Sequence, residues 1–403
     1  MTTPRHIVWG PELSPFLLKL ESLLVHAGVR YRRLPRDGSR LENLRVAAAI
    51  DRAKRKGQAR RPPSGDPLDE YPLVPYLVTA AGEVLYDSSA LAGWLDAQAA
   101  ADNDPRIPRE AALRFLCLFL DEAFDEFGLY LVHHNRWKLA ATDNDVPGRR
   151  LAHEYRRLLP PGVGPFFARW FARRQVRRLP YLFSVAPEGY RVDGLAASLT
   201  PPSRAGFPPT HDLLEESWEA ILAALESLLA RQPFLLGDRF TLADASAYGQ
   251  LSMNLTDTAA ARRLKELAPL VFAWLEGIRD GRHAGVSGEL RAAPGLQPLL
   301  EILVETFAAL MRANEAAWER HRRDGQTLFN EAAFDAGLAL YDGVLRGHPF
   351  RSVAKSFQAR VWRDLRREWE ALAEDARQDI VPLLGGKSCG DLFAPVASPS
   401  RRG

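Results

Sequence analysis

The sequence predicts an α/β domain at the N-terminus, followed by an all-α domain and then by an additional all-α extension. Three observations support this. Within the first 100 residues, short apolar runs and helical repeats follow the order β-α-β and then β-β-α. After residue 110, almost every periodic segment has helical spacing. A chain of 403 residues also exceeds what one hydrophobic core usually organises, so two or three domains are expected.

The first strand is predicted at residues 6–10, and Ser14-Pro15 opens the first helix. Serine accepts hydrogen bonds from the first N–H groups of a helix, and proline fits the first helical position. Leucines then repeat at helical spacing until Gly28 ends the helix. The second strand, at residues 29–34, is expected to run parallel to the first because a crossover helix joins them.

A β-hairpin is predicted next, from short apolar runs at residues 73–78 and 83–86 around the turn Ala81-Gly82. Ser88 then caps a further helix. The preceding stretch, residues 36–70, is polar and strongly basic. We interpret it as a surface insertion, part of which, residues 40–56, is compatible with a helix.

The remaining helices are predicted at residues 110–132, 211–230, 242–255, 260–279, 296–322, 330–345 and 357–376. Thr241 and Asp244 form a capping box for one of them. Proline-rich turns break the pattern at residues 138–210, which we interpret as a second insertion. The predicted domains are residues 1–100 with insertion 36–70, residues 101–280 with insertion 138–210, and an extension over residues 281–403.

The bulk composition excludes several classes of protein. A net charge of +3 is too small to indicate nucleic-acid binding by itself. Cys117 and Cys389 do not make a disulfide framework, which favours a reducing compartment. The N-terminus has no signal-peptide pattern, and no apolar stretch approaches the roughly 20 residues that span a bilayer. The cytoplasm is therefore the expected location.

Three segments together resemble the glutathione transferase superfamily. Ser14-Pro15-Phe16 is similar to the active-site opening of the tau- and omega-like classes. Residues 73–77 and 87–91 are similar to the cis-proline strand and to the acidic-serine element that hold glutathione. Residues 234–244 are similar to the helix-capping motif of the family's C-terminal domain. The resemblance implies a thioredoxin-like N-terminal domain followed by an all-α glutathione transferase domain.

This resemblance covers residues 5–280 without the two insertions and leaves out the last third of the chain. The long insertions and residues 131–137 are more similar to the failed-axon-connections and metaxin-like branch. That branch contains members for which catalysis is not established. Membership in the superfamily also implies a homodimer.

The resemblance implies that glutathione is a co-substrate and that Ser14 stabilises its thiolate. A free thiol has a pKa of about 8.5, so a site that favours the anion raises the reactive fraction. The N-terminus of a helix does so through its unpaired N–H groups, and a serine hydroxyl adds one donor. The alternative is that Ser14 only caps the helix.

The same resemblance implies a clamp for the glutathione backbone. Val74, which precedes Pro75, would bind the cysteinyl residue, while Asp87 and Ser88 would bind the γ-glutamyl ammonium and carboxylate. The alternatives are an ordinary edge-strand proline and a simple helix cap. Leu73 stands where family members often carry a cation for the glycyl carboxylate, so Arg60 or Arg61 of the basic insertion is a candidate replacement.

The leading functional hypothesis is transfer of glutathione to a small hydrophobic electrophile, without a metal and without a nucleic-acid partner. The alternative is a non-catalytic interaction protein that kept the fold, with its C-terminal extension as a docking surface or a lid. Adjacent His133-His134 has no further ligand at metal-binding spacing. Residues 166–183 interleave aromatics with arginines, which is compatible with a membrane surface or an anionic partner. There we favour a helix with its aromatic face buried.

Overall fold

A computed structural model of the chain describes residues 5–63, 66, 68, 70–99, 104–386 and 392–394. The N-terminal elements are β1 (His6–Trp9), α1 (Pro15–His26), β2 (Tyr31–Leu34), α2 (Arg40–Arg55), β3 (Tyr76–Val78), β4 (Val84–Tyr86) and α3 (Ser88–Gln98). The sheet has the order β2-β1-β3-β4, with β1 parallel to β2 and antiparallel to β3. This confirms the expected thioredoxin-like arrangement.

Apolar residues on both faces hold this sheet between helices. Leu17, Leu20 and Leu24 of α1 are fully buried on one face, as their helical spacing predicts. On the other face, Ile50 of α2 packs in a cluster with Trp9. The predicted helix at residues 40–56 therefore forms and covers the sheet.

The middle of the chain is helical, with α4 (Ala111–Ala123), α5 (Leu129–His134), α6 (Val146–Glu154), α7 (Gly164–Arg177), α8 (His211–Leu229), α9 (Leu242–Leu251), α10 (Thr258–Leu267) and α11 (Pro269–Arg279). A π-helical turn, Phe124–Gly128, joins α4 to α5. Such turns often occur at functional sites. Here the turn carries Asp125 and Glu126, two carboxylates in an otherwise apolar stretch.

The C-terminal extension contains α12 (Gln297–Leu303), α13 (Ala309–Arg323), α14 (Glu331–Asp335), β5 (Leu340–Leu345), β6 (His348–Val353), α15 (Ser356–Glu370) and α16 (Glu374–Ile380). Its helical character is as predicted, but the predicted helix at residues 330–345 is wrong. That helix ends at Asp335, and β5 pairs with β6. Arg346 and Gly347 both have positive φ, which suits a two-residue hairpin turn.

The extension shares the core of the preceding helices. The Phe119 ring of α4 lies 5.5 Å from Phe307, and the Phe115 ring lies 5.2 Å from Trp369 of α15. These rings belong to one continuous cluster of buried apolar side chains. Cys117 of α4 is a buried free thiol in the same cluster, whereas Cys389 lies outside the described residues.

The predicted capping box at α9 is confirmed. The Asp244 carboxylate accepts hydrogen bonds from the Thr241 N–H (2.9 Å), the Thr241 hydroxyl (2.8 Å) and the Leu235 N–H (2.8 Å). All three residues are fully buried, so water cannot replace these bonds. Replacing Asp244 with alanine should lower the free energy of unfolding by about 3 kcal/mol, measured by urea denaturation.

The control is Asp212→Ala, which removes an exposed acidic residue from the first turn of α8. Its effect should stay within about 0.5 kcal/mol. Equal losses in the two variants would show that the buried network contributes nothing beyond an ordinary acid near a helix start.

Candidate active site

A cavity of about 340 Å³ lies where the N-terminal domain, the α4–α5 region and the start of α15 meet. Small-molecule sites usually have volumes of about 300–1,000 Å³, so this cavity suits a ligand of modest size. Phe16 at the start of α1 lines it, as do the hairpin residues that precede α3. The extension contributes residues 355–358 and Arg360 to the opposite wall.

Four of the five predicted site residues line this cavity: Val74, Pro75, Asp87 and Ser88. The Val74–Pro75 peptide bond is cis, as the resemblance implied. Ser88 is the first residue of α3, so the positive end of that helix opens toward the cavity. The structure thus brings together the proline-containing strand and the acidic-serine element.

Ser14 is placed differently, because it is not among the residues that line the cavity. It caps α1 as its position predicts, and its Oγ accepts a hydrogen bond from the Leu17 N–H at 3.3 Å. Its exposed fraction is only 7%. Phe16, two positions later on the first turn of α1, does line the cavity.

The Asp87 carboxylate lies close to two arginine side chains. Its Oδ2 lies 2.5 Å from Nε of Arg61 and 3.8 Å from Nη2 of Arg360, and its Oδ1 accepts a hydrogen bond from the Ala90 N–H. Burial alone would raise the pKa of Asp87, but Arg61, the Ala90 N–H and Arg360 outweigh it and hold the pKa below its usual value. Asp87 is therefore a carboxylate at neutral pH.

Arg60 and Arg61, the two candidate cations of the basic insertion, have different partners in the structure. Arg61 reaches the site through Asp87, whereas Arg60 pairs with Glu83 at 2.6 Å. Leu73 is exposed and supplies no charge. The second cation near Asp87 is Arg360, which lies 273 positions further along the chain and is almost fully buried.

A second group of residues from the extension surrounds the ring of Tyr130. Lys355 Nζ donates a hydrogen bond to the Tyr130 hydroxyl at 2.6 Å and lies 4.8 Å from the Tyr130 ring and 4.6 Å from the Tyr181 ring. Gln358 bonds both the Tyr130 hydroxyl (2.8 Å) and Glu126 (2.9 Å). Burial lowers the pKa of Lys355 to about 8.

Beneath the cavity, Lys19 of α1 is fully buried between two carboxylates. Its Nζ lies 2.5 Å from Asp121, 2.5 Å from Asp125 and 2.7 Å from the Ser89 hydroxyl. Burial, together with the Asp121 and Glu126 carboxylates, raises the pKa of Asp125 to about 7 against the opposing effect of Lys19. The pKa of Glu122 is also raised, by burial and by Asp121 and Asp125.

Sequence reasoning missed this network, although the sequence contains a signal for it. Asp121 and Asp125 stand four positions apart in an apolar helix, and charged residues at such positions are seldom buried without a partner. Arg360, Lys355 and Gln358 carry no comparable signal, because nothing local relates them to residues more than 200 positions earlier.

The arrangement suits a zwitterionic ligand. The cavity presents carboxyl groups from Asp87 and the α4–α5 region, cationic groups from Lys355 and Arg360, and the start of α3. A ligand with both an ammonium and a carboxylate group would find a complementary partner for each. Apolar side chains such as Leu129 and Phe357 line the space between the charges.

His133 and His134 serve separate hydrogen bonds. Nδ1 of His133 contacts the Leu129 carbonyl at 2.9 Å, while His134 contacts Ser184 and Glu215. Over the described part of the chain, no group of three or more His, Cys, Asp or Glu side chains is arranged to hold a metal ion.

One family model matches part of the chain. Residues 208–277 match the family model of the glutathione S-transferase C-terminal domain. No curated protein sequence matches the chain significantly.

Among solved structures, the chain is similar to a glutathione S-transferase of Ceriporiopsis subvermispora in complex with glutathione. The sequence identity is 18%, the TM-score is 0.41, and the alignment covers 69% of this chain and 97% of that one. A glutathione S-transferase from Rhodospirillum rubrum F11 shows 19% identity, a TM-score of 0.34, and coverage of 73% and 91%. Similarities with TM-scores this low do not indicate a function. The match to the family model is therefore the finding that bears on the function of the chain.

Proposed function

Because the chain carries a glutathione S-transferase C-terminal domain and so belongs to the glutathione S-transferase superfamily, we propose that its cavity binds glutathione and transfers it to a small hydrophobic electrophile. One observation carries the proposal: Val74, Pro75, Asp87 and Ser88, which come from two separate segments, line one cavity at the start of α3. A thiol peptide with two carboxylates and one ammonium group matches the charges there.

Each residue has a defined task in this proposal. The backbone of Val74 clamps the cysteinyl residue as an added strand would. The Ser88 hydroxyl and the first N–H groups of α3 bind the γ-glutamyl carboxylate. Asp87 binds the γ-glutamyl ammonium, and Arg61 keeps Asp87 ionised. Arg360, which lines this end of the cavity, would pair with a carboxylate of the ligand.

The thiolate step depends on the start of α1. The positive end of that helix stabilises the glutathione thiolate, and Ser14 would donate a hydrogen bond from its hydroxyl to the sulfur. The sulfur then forms a bond to the electrophilic carbon, and the leaving group departs with the bonding electron pair. For this step the Ser14 hydroxyl must turn toward the cavity.

A second candidate function is supported by the position of Ser14. Its side chain is almost fully buried and does not line the cavity. A protein that binds glutathione without activating it would fit that placement. In that case the chain is a non-catalytic member of its superfamily that uses its cavity for recognition.

Calorimetric titration of glutathione tests the binding step. Replacing Asp87 with asparagine should raise the dissociation constant for glutathione about tenfold to a hundredfold, because a charge-assisted hydrogen bond to the ammonium group is lost. Asparagine retains the cap of α3 and tolerates the positive φ of this residue, so the fold should be preserved.

Glu83→Gln is the matched control, since it makes the same acid-to-amide change at an exposed ion pair. It should leave glutathione affinity unchanged. If the parent protein releases no heat with glutathione, the binding proposal is wrong. Binding without turnover of an aryl halide, and with no effect of Ser14→Ala, would select the non-catalytic candidate.

We also expect two copies to associate, as the family resemblance implies. Sedimentation velocity on the full chain measures this. A monomer at micromolar concentration would contradict it.

A further inference from the structure

Helix α7 turns two of its aromatic side chains outward. Its buried residues are small: Ala168, Ala172 and Val176. Phe166 and Trp170, by contrast, have exposed fractions of 69% and 56%. The interpretation that the aromatic face is buried is thus wrong for these two residues.

Close packing against α6 explains this orientation. A Cβ added to Gly148 of α6 would lie only 2.2 Å from the carbonyl oxygen of Ala168, so the two helices touch through their backbones. A face that approaches so closely has room for alanine but not for phenylalanine or tryptophan. Phe171 lies at the edge of this contact and packs against Trp137, with ring centroids 6.3 Å apart.

The surrounding segment has an unusual charge. Residues 155–187 contain seven arginines and no acidic residue. Arg178 pairs with Glu331 at 2.7 Å, and Arg174 lies 3.9 Å from the same carboxylate. Across the ranges that the structure covers, no carboxylate oxygen lies within 4.0 Å of a guanidinium nitrogen of Arg169, Arg173 or Arg177. These three arginines are exposed on α7.

The α7 outer face, defined as Val163, Phe166, Arg169, Trp170, Arg173 and Arg177, therefore joins exposed apolar rings to unneutralised positive charge. Phe166, Trp170, Arg173 and Arg177 follow the spacing i, i+4, i+7 and i+11, so they form one stripe. We propose that this face binds the surface of a membrane that contains anionic lipids.

The chemistry of the interface supports this partner. Tryptophan and phenylalanine settle at the boundary between headgroups and acyl chains, while arginines contact lipid phosphates. Juxtaposed basic residues add attraction toward anionic leaflets. Within the described residues no helix has the length and apolar character needed to cross a bilayer.

Single-stranded nucleic acid fits the face less well. Such strands bind by stacking bases on open aromatic rings. Here the Arg169 guanidinium lies 5.4 Å from the centroid of the Phe166 ring, and the Trp170 ring packs 5.8 Å from Phe167. The ring faces are thus partly occupied, whereas their edges remain free to enter a headgroup layer.

Vesicle co-sedimentation of the full chain tests the proposal. We expect pelleting with phosphatidylcholine vesicles that contain about 30% phosphatidylserine, little pelleting with pure phosphatidylcholine, and release as salt rises to about 0.5 M. The triple variant Arg169→Gln, Arg173→Gln and Arg177→Gln should lower the partition coefficient about a hundredfold, since each arginine contributes about fivefold. The double variant Phe166→Ser and Trp170→Ser should weaken binding to both kinds of vesicle.

Matched controls exist on other surfaces of the chain. Arg320→Gln, Arg322→Gln and Arg323→Gln remove three exposed arginines from α13, and Leu41→Ser with Leu44→Ser removes two exposed apolar residues from α2. Both sets should retain vesicle binding. Failure of the parent protein to bind, or equal loss in the controls, would overturn the proposal. So would binding of a single-stranded DNA of about 20 nucleotides without vesicle pelleting.

Discussion

Replacing Lys19 with methionine should lower the free energy of unfolding by about 3–5 kcal/mol at neutral pH. The Lys19 ammonium group lies 2.5 Å from both Asp121 and Asp125 and is fully buried. Methionine fills a similar volume but leaves two carboxyl groups without a cation. Urea denaturation of the parent and the variant measures the loss.

The control is Lys265→Met, because Lys265 is exposed on α10. That change should stay within about 0.5 kcal/mol. The rescue variant adds Asp121→Asn and Asp125→Asn to Lys19→Met, which removes both carboxyl groups that lost their cation and should recover part of the loss. A Lys19→Met protein as stable as the Lys265→Met control would show that the buried cation is dispensable.

The same network makes stability depend on pH. The folded pKa of Asp125 is raised from 3.8 to about 7, mainly by burial. A carboxyl group with a raised folded pKa contributes stability that is fully present below its unfolded pKa and is lost as pH rises through its folded pKa. Without Lys19 the pKa rises further. The deficit of Lys19→Met should therefore be larger at pH 8, above the folded pKa, than at pH 5, below it.

Local pattern was sufficient to predict the elements that build one side of the site. The leucine repeat of α1 and the apolar runs of β3 and β4 are each encoded within a dozen residues. These elements form within the predicted ranges. Helix α3 begins at Ser88, but its N-cap is Asp87, one residue before the predicted cap. The resemblance of these segments to the glutathione transferase superfamily then implied that Val74, Pro75, Asp87 and Ser88 belong to one site, and all four line the same cavity.

The other wall of the site could not be predicted in this way. Arg360 meets Asp87, and Lys355 meets Tyr130, through contacts between residues that lie more than 220 positions apart. These contacts depend on how the extension packs against the rest of the chain, and local sequence periodicity does not predict that packing. The β5–β6 hairpin was missed for a different reason, because leucines and valine at residues 338–345 satisfy a helical repeat as well as a strand.

The face of α7 on which the aromatic side chains Phe166 and Trp170 lie was also predicted wrongly. Aromatics normally mark the buried face, and on that rule Phe166 and Trp170 should face inward. The short distance between Gly148 and Ala168 reversed the preference, since backbone contact favours small residues. The signal was present in the alanines at 168 and 172, whose spacing of four defines the opposite face.

Replacing Trp362 with alanine should lower the free energy of unfolding by about 3–5 kcal/mol. Trp362 of α15 is fully buried, and its ring lies 5.1 Å from Phe393 and 6.3 Å from Phe307. Phe307 in turn contacts Phe119 of α4, so the damage reaches the core of the preceding helices. Differential scanning calorimetry measures both the stability and the number of transitions.

The same experiment shows whether the extension unfolds together with the rest of the chain or as a separate unit. If the extension is part of the common core, the parent protein should unfold in one transition, and Trp362→Ala should move the whole of it. Trp170→Ala, the same change at an exposed tryptophan, should shift the free energy by no more than about 0.5 kcal/mol in buffer without vesicles. Two resolved transitions, only one of them sensitive to Trp362→Ala, would instead make the extension a separately folding lid. Its residues at the cavity, Lys355 and Arg360, would then leave the site whenever it opened.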